Sequence, residues 1–274
     1  ALSPNQNLLA LHDFHRNYES FEEFQPDLMG LLQQASHLTD CITLTRALGI
    51  LEPLTGDHIA PVELLIQGPN WRESLIGNGL LSRNRAVLCV LERLYGSLEA
   101  LKQKDIYLAE ALSGFAFWCR RHLGHERILC SEYLTNAENQ SNVIHHQDLC
   151  NLTLPSSSLD IVLCNELFEH VENLDRSFAE IARVLRSGGR LLATCPLAFG
   201  QNDSIVKAVY DPTTGETQYF GEPEVHGDPV RPTQGSLVYR IPGWEVLNQL
   251  KRSGMAETRI HHVASWKHGV LGSD

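Results

Sequence analysis

The sequence predicts an α/β fold: an open, mostly parallel sheet flanked by helices, with an N-terminal helical extension. Three observations carry that expectation. Leu159, Ile161, Val162, Leu163 and Cys164 form a short apolar run, as a strand buried on both faces of a parallel sheet requires. Leu174, Phe178, Ile181, Ala182 and Leu185 follow at steps of four, three, one and three, which is one stripe of a helix. Leu191, Leu192, Ala193 and Cys195 make a second apolar run after Gly188-Gly189, a helix stop. Strand, helix, glycine stop and strand together are a βαβ unit with a right-handed crossover. Arg183 and Arg186 are expected in the last helical turn, where cations favour the helix dipole.

At 274 residues the chain can bury a large core and hold one α/β domain plus an extension. The net charge of −11 would repel nucleic acid and anionic membranes, so neither is an expected partner. No apolar run reaches transmembrane length, and the polar start ALSPNQN is not a signal peptide. The seven cysteines are odd in number and lack CxxC spacing, so they read as reduced core residues of a cytoplasmic protein. The histidine pairs His145-His146 and His261-His262 are adjacent, and adjacent strand residues face opposite ways; no metal site is expected from spacing.

In chain order, residues 1–102 read as a mainly helical cap or lid. Leu28, Leu31, Leu32, Ala35 and Leu38 keep one helical stripe, and Val87, Leu88, Leu91 and Leu94 keep another. Turn-rich pieces lie between them, with Trp71-Arg72-Glu73 and the Arg83-Asn84-Arg85 group, whose arginines are expected to pair at the surface. A ligand-binding core is expected over 103–274. Its first strand, 106–109, ends in Glu110 and turns through Ser113-Gly114 into a helix over 115–123. A second strand, 127–130, ends in Ser131-Glu132-Tyr133. Glu132 stands 22 residues after Glu110, near the distance at which α/β nucleotide folds place the acid that accepts both ribose hydroxyls. A carboxylate suits that task because its two oxygens can take both donors. A weaker third strand, 142–146, precedes Gln147-Asp148-Leu149. Asn165-Glu166 and Glu169-His170 crowd polar groups at the carboxyl end of the strand at 159, the ligand end of an open α/β sheet. A polar insertion spans about 200–235, long enough to suggest a functional loop. A helix over 243–255 and a late strand over 257–263 close the chain.

The segment Glu169-His170-Val171, Glu180-Ile181, Arg183-Val184-Leu185 and Gly188-Gly189 resembles the class I S-adenosylmethionine (SAM)-dependent methyltransferases of type 11. Glu224-Val225-His226-Gly227-Asp228-Pro229 is similar to an "EYHGDP" segment of one subgroup, with Val225 in place of the aromatic. Ser265-Trp266 and 269–272 echo the same subgroup, so the resemblance spans most of 70–272. It implies a Rossmann-like fold, SAM as cofactor and a small-molecule substrate. The subgroup's cysteine pair near NWRE is replaced here by Leu75-Ile76-Gly77-Asn78-Gly79, so a metal clip there is absent. The family's first turn carries glycines two, four and six places after its acid; here only Gly114 remains. The amino-acid tail of SAM would lie at the start of the helix after it. The resemblance gives Asp148 to the adenine amino group and the backbone of the residue after it, Leu149, to the ring; Asn165 and Glu166 are expected to fix the methionine ammonium or the turn and not to move protons. The family normally ends with an antiparallel seventh strand, for which the chain leaves little room: either the sheet is one strand short or the chain given stops early.

A sulfonium is a good leaving group, so catalysis of its transfer is mainly in-line positioning and exclusion of water. No triad or metal set is expected. A hydroxyl or amine acceptor would be helped by a base, for which His226 with Asp228, and His170, are the candidates. Tyr133, Trp118 and Tyr239 could flank the sulfonium. Three readings stay open: methyl transfer to a small molecule, cyclisation of SAM to azetidine-2-carboxylate with release of methylthioadenosine, and a non-catalytic scaffold. The resemblance extends to azetidine-2-carboxylate synthases as well as methyltransferases. Oligomeric state and acceptor are open.

Overall fold

The computed structural model describes residues 4–135, 138 and 143–272. The chain forms two compact units. One holds 104–117 and 124–258; the other gathers 1–103, 118–123 and 259–274.

The first of these carries the expected α/β fold. Its elements run β1 (Ile106–Leu108), α1 (Gly114–Leu123, whose second half belongs to the other unit), β2 (Ile128–Glu132), β3 (His145–His146), β4 (Leu159–Asn165), α2 (Leu174–Val184) and β5 (Leu185–Thr194). All five strands are parallel, in the order β5-β4-β1-β2-β3. The order reverses between β1 and β4, which is the switch point where open α/β sheets bind ligands. Ile106, Tyr107, Leu108, Ile161, Val162 and Leu163 are almost wholly buried. Each such aliphatic side chain contributes about 1.5–3 kcal/mol through the area it removes from water. Leu174, Phe178, Ile181 and Val184 are the buried stripe of α2.

Helix α2 ends at Val184, short of the expected Leu185, because the chain turns into strand there. Arg186 therefore lies beyond the helix and does not answer its dipole; it bridges Asp105 (2.8 Å) and Asp160 (3.0 Å) at the amino ends of β1 and β4. Arg183 does lie in the last turn, where it pairs with Glu180 and donates to the carbonyls of Leu152 and Leu154. Gly188 takes φ of 78°, and a Cβ on Gly189 would stand 2.9 Å from the Arg186 carbonyl oxygen. The pair does not stop the helix as expected, since Leu185 is its cap; it lies within β5, at an irregularity in the pairing with β4 that needs a left-handed residue and close backbone approach.

The third strand is shorter than expected, and its anticipated start at Asn142 lies outside the described residues. The insertion is a set of small antiparallel ladders. Ala208–Asp211 pairs with Glu216–Tyr219, Val225–His226 with Ser236–Leu237, and Ile205–Val206 with Arg240–Ile241. The late helix is Val246–Arg252.

In the other unit, Phe21–Gln34, Leu38–Leu48 and Ser82–Tyr95 are the main helices. The late strand, Ile260–Ala264, does not extend the central sheet; it pairs antiparallel with Phe14–Tyr18. The stripe at 28–38 is only partly covered, with Leu32 46% exposed, whereas Val87, Leu88 and Leu91 are buried. Arg85 corrects the expectation of surface arginines. It is fully buried and donates to the carbonyls of Leu75, Leu80, His268 and Gly269 at 2.7–2.8 Å. Burial lowers its pKa to about 10, so it stays charged at neutral pH. Arg83 behaves as expected, pairing with Glu73. Trp118 is a buried core residue whose indole N–H donates to Glu52 (2.8 Å).

All seven cysteines are free thiols, five of them buried. Among the described residues no helix is long and apolar enough to cross a membrane.

Candidate functional site

Parallel strands all deliver their carboxyl ends to one edge, so the residues just past each strand share one rim. Glu110 follows β1, Glu132 closes β2, Asp148 follows β3 and Asn165 closes β4. Across the switch point the Asn165 side-chain amide donates to Glu110 Oε1 at 2.5 Å, while its carbonyl oxygen accepts from the Thr194 hydroxyl (3.4 Å). Glu166 stands at φ 51°, left-handed for a residue with a Cβ, and its N–H donates to Thr194 O (2.7 Å). Such backbone strain, of about 1 kcal/mol or more, is commonly held at ligand sites by the surrounding structure.

Glu132 reaches back over the first turn. Its Oε1 accepts from the N–H groups of Ala111 (2.8 Å) and Leu112 (3.0 Å). This modifies the expectation that both oxygens face a ribose, since one is committed to the turn. Those two bonds tie the turn after β1 to the end of β2. Burial raises the Glu132 pKa, the backbone bonds oppose that, and the charges of Glu110 and Asp228 add to the rise. Ser113 caps α1 by accepting from Ala116 N–H (3.0 Å), which sets Gly114 as the first helical residue. Asp148 forms a local turn, accepting from Cys150 N–H (2.8 Å), with Leu149 in the turn beside it. Tyr133 is 60% exposed, tilted against His146 and lying under the Arg231 guanidinium at 5.8 Å.

The insertion reaches this rim through Arg231, which donates to the Tyr133 carbonyl (2.9 Å) and pairs with Glu138 and Asp228 (2.8 Å each). Asp228 accepts from Val230 N–H (2.7 Å), Arg231 and the Ser236 hydroxyl (2.7 Å). Burial alone would raise its pKa, but these donors outweigh it and hold the carboxylate below its ordinary range. Engaged on every side, Asp228 is a brace of the loop, which argues against the expected role as a proton acceptor beside His226. Its charge acts on both Glu132 and His170.

His170 and His226 come together, as sequence alone could not show. Their rings lie 5.2 Å apart and nearly perpendicular. Between them is Glu169, fully buried, with Oε1 3.7 Å from His170 Nε2 and 3.7 Å from His226 Nδ1. His170 Nδ1 donates to Leu237 O (2.8 Å), and burial lowers the pKa of the ring. His226 Nε2 faces Glu224 (3.2 Å), itself paired with Lys207 (3.1 Å). The hairpin that brings His226 here depends on Gly235, at φ 68°, where a Cβ would lie 2.3 Å from the His226 carbonyl oxygen. Sequence spacing gave no sign of a metal set, yet these three side chains offer ligand atoms within 4.8 Å of one another. The sequence places Glu169 at the ligand end of the sheet but gives it no role, because its partner His226 lies 57 residues further along the chain. Tyr239 is held by backbone pairing to Glu169 O (2.8 Å).

With this geometry in view, residues 126–193 match the family model described as a methyltransferase domain. The match runs through β2 to β5 and includes Glu132, Asp148, Asn165, Glu169 and His170. None of the curated proteins is significantly similar in sequence. Among solved structures, a SAM-dependent methyltransferase from Mesorhizobium loti is similar at 20% identity and TM-score 0.37, over 59% of this chain and 82% of that one. A Haemonchus contortus phosphoethanolamine N-methyltransferase, solved with phosphomonomethylethanolamine and S-adenosylhomocysteine, is similar at 18% identity and TM-score 0.39, over 66% of this chain and 40% of that one. A Pyrococcus horikoshii protein is similar at 14% identity and TM-score 0.37, over 62% and 79% of the two chains.

Proposed function

We propose that the chain is a SAM-dependent enzyme that transfers a methyl group to a small-molecule acceptor. The observation that carries the reading is the rim of acids on three neighbouring parallel strand ends, Glu110, Glu132 and Asp148, with Asn165 tied to Glu110 across the switch point. The residues suit the group in kind. Glu132 Oε2, on the side away from the Ala111 and Leu112 bonds, would accept a ribose hydroxyl. Asp148 and Leu149 would meet the adenine, with Tyr133 beside the nucleoside. Glu110, Asn165 and Glu166 would hold the ammonium, and the capped start of α1 at Ser113-Gly114 would face the carboxylate. The bound sulfonium supplies an activated methyl group. The acceptor side falls to Glu169, His170 and His226, whose lone pairs can draw a proton from a hydroxyl or amine.

The test is incubation of the purified protein with SAM, with and without candidate acceptors, and product analysis by mass spectrometry. S-adenosylhomocysteine formed only with an acceptor supports methyl transfer. Methylthioadenosine and a cyclic amino acid from SAM alone would replace it with cyclisation. Absence of SAM binding in calorimetry would leave a scaffold.

A further inference from the structure

We propose that Glu169, His170 and His226 bind a divalent first-row transition ion of the zinc class. Three acceptor atoms converge there. His170 Nδ1 donates to the Leu237 carbonyl, which can only accept, so Nε2 carries the lone pair and turns it toward Glu169. His226 Nε2 donates to the Glu224 carboxylate, so Nδ1 carries the lone pair and faces the same oxygen. Carbonyl and carboxylate partners behind the ligating imidazoles are the usual device that fixes tautomer and ring orientation at metal centres. Both separations from Glu169 Oε1 are 3.7 Å, beyond the reach of a proton shared in a hydrogen bond. With the third side at most 4.8 Å, a point equidistant from the three atoms lies roughly 2.0–2.4 Å from each, in the range of zinc–nitrogen and zinc–oxygen bonds. Two imidazoles and one carboxylate suit zinc, iron or cobalt, and disfavour calcium and magnesium, which take oxygen ligands.

Three protein ligands leave coordination positions for a further donor. Resting on the methyl-transfer reading, the ion would take the acceptor's hydroxyl oxygen there and lower its pKa, so that the proton passes to solvent and the oxygen bonds the methyl carbon as its bond to sulfur breaks, releasing S-adenosylhomocysteine; the three side chains then act as ligands and not as bases. That role narrows the substrate class to molecules with a hydroxyl or an adjacent oxygen pair.

The test uses the full chain after chelator treatment, titrated with Co²⁺ and followed by visible absorption, in parallel with His226→Ala, Glu169→Gln and the surface control His125→Ala. Wild type and the control are expected to take up one equivalent with a d–d band, displaced by Zn²⁺. The two site variants should bind at least roughly tenfold more weakly. Circular dichroism checks folding, and if His226→Ala does not fold, the isosteric Glu169→Gln gives the reading. No one-equivalent binding, or equal binding by site and control variants, overturns the proposal. S-adenosylhomocysteine calorimetry on the same metal-free protein is read separately, so loss of the ion site and loss of the nucleoside site are told apart.

Discussion

Replacing Glu132 with glutamine should separate ligand binding from stability. The glutamine carbonyl oxygen can still accept the N–H groups of Ala111 and Leu112, now without charge assistance, at a cost of about 0.5–1 kcal/mol per bond. Against this, burial and the nearby Glu110 and Asp228 charges already raise the Glu132 pKa. A raised native pKa means the ionised carboxylate is disfavoured in the folded chain above that pKa, and a neutral amide removes the penalty. The two effects oppose each other, so unfolding free energy should change by no more than about 1 kcal/mol. The nucleoside sees a different change. An NH₂ donor replaces the acceptor that meets a ribose hydroxyl, which costs about 3–4 kcal/mol, or on the order of 100- to 1,000-fold in affinity. Calorimetry with S-adenosylhomocysteine and urea unfolding measure the two quantities on the same preparation. A folded variant whose affinity falls by less than about threefold would refute the ribose role of Glu132.

Further consequences follow from other sites. Arg85→Met strands four buried carbonyls and should destabilise by about 4 kcal/mol, read from urea unfolding; a loss under about 1 kcal/mol would show that the clasp is dispensable. His15 Nε2 and His261 Nδ1 lie 2.8 Å apart, and burial, aided by the His15, Arg259 and Arg93 charges, lowers the His261 pKa to about 4. The native chain then binds fewer protons than the unfolded one, so stability present above about pH 6.5 is lost as pH falls toward 4. Discounted for solvent screening, the pair accounts for about 1–2 kcal/mol, and His261→Gln should flatten the fall by that amount in unfolding curves at pH 7.5 and 5. Gly235→Ala forces a Cβ into the His226 carbonyl at a left-handed position and should destabilise by about 2 kcal/mol. Hydrogen exchange should show the opening confined to 224–237; unchanged protection there would contradict the geometry.

Much of the sheet was legible because its signals are local. The β4–α2–β5 unit follows from periodicity within forty residues, although its glycine pair sits inside β5 and not at the helix end where a stop was expected. The acids at 110, 132 and 148 were legible because parallel strands bring their ends to one rim. Other features depend on partners far along the chain. Nothing at 260–264 tells a reader that it pairs with 14–18, and nothing at Arg85 distinguishes a surface cation from a clasp on four carbonyls. The first turn shows a third kind of gap. The single glycine at 114 is visible in the sequence, but that Glu132 pins the turn depends on a side chain twenty residues away. The Glu169, His170 and His226 cluster was hidden for the same reason, since its members come from an α/β turn and an inserted hairpin.

Hydrogen exchange on the intact chain with and without S-adenosylhomocysteine tests the nucleoside site most directly. Added ligand should slow exchange at the amides of 110–116, 132–134 and 147–151 while leaving the hairpin Ala208–Asp211 with Glu216–Tyr219 unchanged. No protection at the strand ends, or protection confined to other segments, would contradict the assignment.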